Sequence, residues 1–226
     1  KMNIIAYMHS DFPEKFGIPR QSGLVKELES AMVFEPEYRN GDALRGLDQF
    51  SHIWLIWQFS ESVREGWSPT VRPPRLGGNE RVGVFATRSP FRPNEIGLSS
   101  VRLIRIETTQ KLGPVIYVAG ADLMDGTPIF DIKPYLPYVD SHPEARGGFA
   151  EDVKGYHLKV DFPPELMKRI PVCRRQALCG VLAEDPRPAY QRDPGRIYGM
   201  DFAGFRIKFR VIGERLTVLD VQMGEE

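Results

Sequence analysis

Residues 83–98 begin and end as apolar strand, yet between the two ends stand Thr87, Arg88, Ser89, Pro90, Arg92, Pro93 and Asn94. Proline fixes φ and removes a backbone donor, so neither a regular helix nor a central strand runs through Pro90 and Pro93. The chain must pass through a stiff, polar, cationic elbow that joins two strands. Such an elbow can hold a ligand at low entropic cost, because little is left to order on binding. It can equally be a surface loop stiffened by proline.

The residues around the elbow read as strand after strand. Short apolar stretches at 3–8, 31–34, 81–86, 98–107, 115–119 and 128–132 are separated by turn-forming residues, and 42–47 suits one helical turn. Residues 51–59 form a nearly continuous aromatic and branched run, the pattern of a buried strand. Residues 61–79 are an excursion rich in proline, glycine and arginine; loops that long are usually functional or disordered. Many strands and few helices predict a barrel or sandwich up to about Tyr138. Further on, a strand is expected at 157–162, a helix from Pro163 or Pro164, a second helix at 172–184, a stiff loop at 185–190, and strands at 204–212 and 216–223. The expected organisation is mainly β: a β-barrel domain over 1–140, a linker over 141–155, and a smaller basic α+β domain over 156–226.

Length and charge narrow the possibilities. The 226 residues suffice for one large or two small domains. No apolar run reaches the ~20 residues that span a bilayer, and no basic-then-apolar leader pattern is visible. Cys173 and Cys179 lie six apart, which is neither a zinc nor a redox spacing, so free thiols in a reducing compartment are expected. The expectation is a soluble, cytoplasmic protein. Net charge is zero but unevenly spread. Residues 168–210 hold ten Lys or Arg against four Asp or Glu, whereas 107–165 hold five against ten. A basic end suits an anionic partner such as nucleic acid, or simply a solvated surface.

Several enzyme classes lack their signatures here. No G-x-G-x-x-G follows a strand, and Walker A, H-E-x-x-H and G-x-S-x-G patterns are absent. The four histidines are scattered, and no metal is expected. Four polar clusters remain. Pro19, Arg20 and Gln21 offer groups for an adenine edge, a carboxylate or a phosphate. His52 sits inside the apolar strand, where a satisfied core histidine is the commoner use. The elbow presents Arg88, Ser89, Arg92 and Asn94. Asp122, Leu123, Met124 and Asp125 leave a strand and enter a glycine turn; the carboxylates can accept from an amine or ribose, or satisfy their own backbone as Asx turns.

The runs Phe50-Ser51-His52-Ile53-Trp54-Leu55 and Thr70-Val71-Arg72-Pro73-Pro74-Arg75-Leu76-Gly77-Gly78-Asn79, the elbow, and the stretches 121–128 and 131–137 together resemble the TrmO (YaeB or TsaA-like) family. These are β-barrel, non-Rossmann methyltransferases acting on tRNA with S-adenosyl-L-methionine. The C-terminal Asp185-Pro186-Arg187-Pro188-Ala189-Tyr190 is similar to that of bacterial members. The resemblance implies methylation of N6 of threonylcarbamoyl-adenosine at tRNA position 37, in the anticodon loop of threonine tRNAs, by a homodimer with its cofactor near the interface. It also implies cofactor contacts from Pro19, Arg20, Gln21, His52, Ile53, Arg88, Leu98, Asp122, Leu123, Met124 and Asp125. Arg187, Tyr190 and Arg192 would meet the tRNA. Asn94 and Tyr190 are the candidates nearest to a catalytic role, and no residue declares itself a general base. The alternative of another class is a noncatalytic RNA-binding barrel, for which basic loops and aromatics are also suited.

Overall fold

Six strands close into a barrel, the first paired with the last. The computed structural model describes residues 2–62, 66–73, 80–153, 155–188 and 193–224. Strands β1 (Ala6–His9), β2 (Glu29–Phe34) and β3 (His52–Gln58) bury every second residue, as a sheet with one face on a core requires. Two short strands, β4 (Thr70–Val71) and β5 (Val82–Gly83), pair only with each other. The long β6 (Ile96–Thr109), β7 (Gly113–Ala119) and β8 (Thr127–Pro134) complete a barrel of order β1-β2-β7-β6-β3-β8, closed by β8 against β1. Met8, Met32, Ile53, Leu55, Ile116 and Ile129 fill its interior. The mainly-β expectation therefore holds, with a closed barrel rather than a sandwich.

A second unit follows. Helix α1 (Pro137–Asp140) ends where the expected linker begins, and a 3-10 turn at Gly148–Val153 lies within it. Then come β9 (Lys159–Asp161), α2 (Pro164–Met167), α3 (Val172–Ala183), β10 (Ile197–Phe202), β11 (Phe205–Ile212) and β12 (Arg215–Met223). The sheet order is β10-β11-β12-β9, with β9 parallel to β12. Ala177, Leu178, Val181 and Leu182 of α3 cover its apolar face.

Three expectations change. Residues 84–86 are a 3-10 turn instead of strand, because β5 has only the two-residue β4 to pair with. The helix at Pro164 lasts one turn, since Pro171 lies too close for it to continue. Strand β10 was not expected; Gly199 and Asp201 obscure it, although Tyr198, Met200 and Phe202 alternate on its buried face.

The loop after β1 ties the units together. Phe12, Val25 and Leu28 belong to the core beneath α3 and β10, not to the barrel. Phe12 meets Phe202 edge-on at 5.4 Å, and the Ala203 amide donates to the Asp11 carbonyl at 2.8 Å. Gly17, at φ +94°, lies under the Met200 thioether where a Cβ would collide. Residues 18–21 are thereby held beside the barrel mouth.

Candidate functional site

One end of the barrel carries a pocket of about 510 Å³ built from five separate parts of the chain. The β3–β6 register sets its floor by pairing Trp57 with Gly97. Gly97 has no side chain to oppose the indole, which lies over its backbone. Phe59 stands edge-on to Trp57 at 4.3 Å. Ile18, Pro19, Ile96, Leu98, Leu123 and Met124 add apolar wall, while Lys15, Arg20, Gln21, Arg88, Arg92 and Asp122 supply charge and hydrogen bonds.

Asp122 is the deep polar group of this pocket. The Trp57 indole N–H donates to Ser99 Oγ at 3.0 Å, and Ser99 donates to Asp122 Oδ1 at 2.6 Å. Burial pushes the Asp122 carboxyl above its ordinary range. The Ser99 hydroxyl, backbone amides and the Arg88 charge pull the other way without cancelling that effect. Its loop is pinned on both sides. Ser10 Oγ donates to the Leu123 carbonyl at 2.9 Å, the Asp125 amide donates to Phe12, and Thr127 Oγ1 donates to the Met124 carbonyl at 2.7 Å.

Arg88, exposed, lines the same pocket and donates through Nη1 to Gln21 Oε1. The elbow holding it is self-bonded. Thr87 Oγ1 donates to the Val84 carbonyl, and Arg92 Nη1 donates to the Val84 and Thr87 carbonyls at 3.3 and 2.7 Å. The elbow thus runs from a small ribbon into β6 rather than between two barrel strands.

The fold brings Pro19, Arg20, Gln21, Arg88, Leu98, Asp122, Leu123 and Met124 into this one pocket. Four other sequence candidates stand elsewhere. His52 contacts Ser51 and leans on Tyr135 at the far end of β3, and Ile53 is wholly buried in the barrel. Asp125 turns to His9 at 3.3 Å. Asn94 is exposed and uses its carbonyl to receive the Ile96 amide. Tyr190 and Arg192 lie outside the described residues. Trp57, Phe59, Gly97 and Ser99 went unmarked in the sequence. Their signal was two small residues, Gly97 and Ser99, at inward positions of a strand where bulky side chains are usual.

The pocket opens into a larger groove of about 1550 Å³, to which Arg187 and Pro188 contribute from the second unit. Among its described lining residues Lys15, Arg20, Arg72, Arg81, Arg88, Arg92 and Arg187 face a single carboxylate, Glu95. Among the described residues no His, Cys, Asp and Glu side chains converge as a metal site, and no helix is long and apolar enough to cross a membrane.

Residues 7–141 match the model of the tRNA-methyltransferase O N-terminal domain, and residues 155–224 match that of the TrmO C-terminal domain. An Escherichia coli protein named tRNA (adenine(37)-N6)-methyltransferase is 41% identical over 215 residues, covering 92% of this chain and 91% of its own. A Pseudomonas aeruginosa protein, whose name places it with S-adenosylmethionine-dependent methyltransferases, is 42% identical over 232 residues, covering 98% and 97%. The crystal structure of TrmO from Pseudomonas aeruginosa superposes with a TM-score of 0.79 at 33% identity, over 98% of this chain and 97% of that one.

Proposed function

The chain belongs to the tRNA-methyltransferase O family, and we propose that it methylates threonylcarbamoyl-adenosine in threonine tRNAs. Its reaction class is S-adenosyl-L-methionine-dependent methylation of N6 of adenine 37 in tRNA. The finer reading adds the threonylcarbamoyl substrate, a cytoplasmic homodimer, and RNA contact from the second unit through Arg187, with Tyr190 and Arg192 beside it in sequence.

The pocket suits the cofactor by its donor set. S-adenosylmethionine has a carboxylate, an ammonium, a ribose and an adenine, and the pocket combines guanidinium groups, a deep carboxylate and an aromatic floor. Its volume falls in the ~300–1,000 Å³ usual for small-ligand sites. When bound, the cofactor supplies an electrophilic methyl carbon on a sulfonium. Arg88, steadied by Gln21, is placed to bind the carboxylate; guanidinium matches it two bonds at a time. Asp122, fixed by Ser99, is placed to accept from the ammonium or a ribose hydroxyl. Trp57, Phe59 and Leu98 supply the apolar surface that excludes water. The protein's contribution is then orientation, which can lower a barrier by about 7–11 kcal/mol at best.

One observation carries the assignment to this pocket: eight residues marked in the sequence from four separated segments meet there. The test is isothermal titration with S-adenosylmethionine, followed by mass spectrometry of nucleosides from threonine tRNA incubated with protein and cofactor. Saturable cofactor binding, lost in Asp122→Ala, and a methyl gain on the threonylcarbamoyl-adenosine are expected. A folded protein with undiminished cofactor binding in Asp122→Ala overturns the pocket. Methylation of unmodified adenosine at equal rate overturns the substrate.

A further inference from the structure

We propose that Trp67 and Phe85 form a stacking platform for an unpaired base of the RNA, beside the adenosine that is methylated. The proposal rests on the reading that the substrate is a tRNA.

Both rings are displayed to solvent: Trp67 is 52% exposed and Phe85 70%. Neither belongs to either hydrophobic core. Their centroids lie 6.0 Å apart with planes 30° from parallel, an arrangement that presents extended π surface. The guanidinium of Arg92 stands 5.8 Å from the Phe85 centroid. It is fixed there by the two carbonyls it donates to.

The platform is rigid for a local reason. The β4–β5 pairing places Thr70 opposite Gly83, and the Val84 amide continues the ladder by donating to the Pro69 carbonyl at 3.0 Å. Ser68 Oγ donates to the Thr70 carbonyl, and Arg81 Nε donates to Thr70 Oγ1 at 3.0 Å. The ribbon therefore carries residues 67 and 85 to neighbouring positions although they are far apart in sequence. Surface rings held by such a ribbon contribute little to folding and much to a flat ligand.

The occupant follows from charge and continuity. The groove containing both rings shares Arg88, Pro90 and Arg92 with the cofactor pocket. The groove that holds the rings is also lined by Arg72, Arg81 and Arg92, with Glu95 the one carboxylate among the described lining residues. Aromatic faces with guanidinium groups between them are how proteins hold single-stranded nucleic acid: phosphates meet the cations and bases meet the rings. An anticodon loop has unpaired bases next to position 37, and methylating that adenine requires its neighbours to be parted from it.

The experiment uses the full chain, an anticodon stem-loop RNA, and S-adenosylmethionine measured separately. Trp67→Ala and Phe85→Ala are each expected to weaken RNA binding about five- to hundredfold. Cofactor affinity and the slope of log K against log salt should stay unchanged, because no phosphate contact is removed. Trp67→Phe and Phe85→Tyr should restore most of the affinity. RNA carrying 2-aminopurine at either unpaired neighbour of the target adenosine should be quenched by the wild-type protein and not by the double alanine variant. RNA affinity within twofold of wild type in both alanine variants overturns the platform, as does quenching that survives in the double variant. If the wild-type protein binds cofactor but no RNA, the substrate reading falls and the platform with it.

Discussion

Trp57 and Gly97 face each other across β3 and β6, and the indole occupies the place where any side chain on residue 97 would stand. The same indole donates to Ser99, which donates to Asp122. A missing side chain on one strand thus fixes a carboxylate carried by a distant loop.

Gly97→Ala should therefore disturb the site more than the barrel. The added methyl must displace the indole, and overpacking of this kind costs about 1–3 kcal/mol. Near-ultraviolet circular dichroism should lose tryptophan intensity while the far-ultraviolet spectrum is kept. Cofactor affinity should fall with it. An unchanged near-ultraviolet spectrum with unchanged affinity would show that the floor relaxes without consequence.

The sequence made the barrel legible because its strands are short apolar runs between strong turn signals. It made half the pocket legible as well, since Arg20, Gln21, Arg88 and Asp122 are polar groups in otherwise apolar or proline-bound surroundings. The floor was harder to see: Trp57 looked like ordinary core, and only the register reveals Gly97 beneath it. Charge alone left its partner open. Much of the basic excess at 168–210 is committed internally: Arg169 to Asp220, Arg174 to Asp11, Arg187 to Asp185, and Arg206 to Asp201 and Glu14. Among the described lining residues of the groove, most cations come instead from the first ninety-two residues. Nor do the two units part cleanly near residue 140, because Phe12, Val25 and Leu28 complete the core of the second.

Arg88→Ala should weaken cofactor binding with the fold intact. Losing a hydrogen bond to a charged group costs about 1.5–3 kcal/mol. Arg88 is exposed, so water competes and the lower end applies, roughly tenfold in Kd. Titration calorimetry on variants with matched circular dichroism gives the answer. Affinity within a factor of two of wild type would remove Arg88 from the carboxylate subsite.

Asp122→Asn should separate stability from binding. Burial raises the carboxyl's pKa in the folded protein, so the native state holds the proton more tightly than the unfolded chain. Stability then falls as pH rises from about 4, the unfolded carboxyl's range, through the folded pKa. The amide carries no such penalty, and its oxygen can still accept from Ser99. The variant should melt at or above the wild-type temperature at pH 7.5, with the gain shrinking toward pH 4, while cofactor affinity drops. A variant that melts lower at neutral pH and closer to wild type in acid would mean that the ionised carboxylate stabilises the fold.

Arg174→Met tests the seam between the two units. Asp11 leaves β1 and enters the second core; its Oδ2 is buried, 3.2 Å from Arg174 Nη1, and lacks a hydrogen-bond partner. Burial raises the Asp11 carboxyl above its usual range, and Arg174 is the main influence holding it down. Without the guanidinium the pKa rises further, and at neutral pH the folded protein must bury a less compensated charge. The expected cost is about 1–3 kcal/mol, or about 2–12 °C in melting temperature for a chain of this size. The deficit should be largest at pH 7.5 and shrink as the pH is lowered toward 4, because protonated Asp11 makes no ion pair in either protein. Asp11→Asn in the same chain should return most of the lost stability at pH 7.5. A deficit that stays constant from pH 7.5 to 4 would assign Arg174 to packing through its aliphatic stem alone, with the charge at the seam irrelevant.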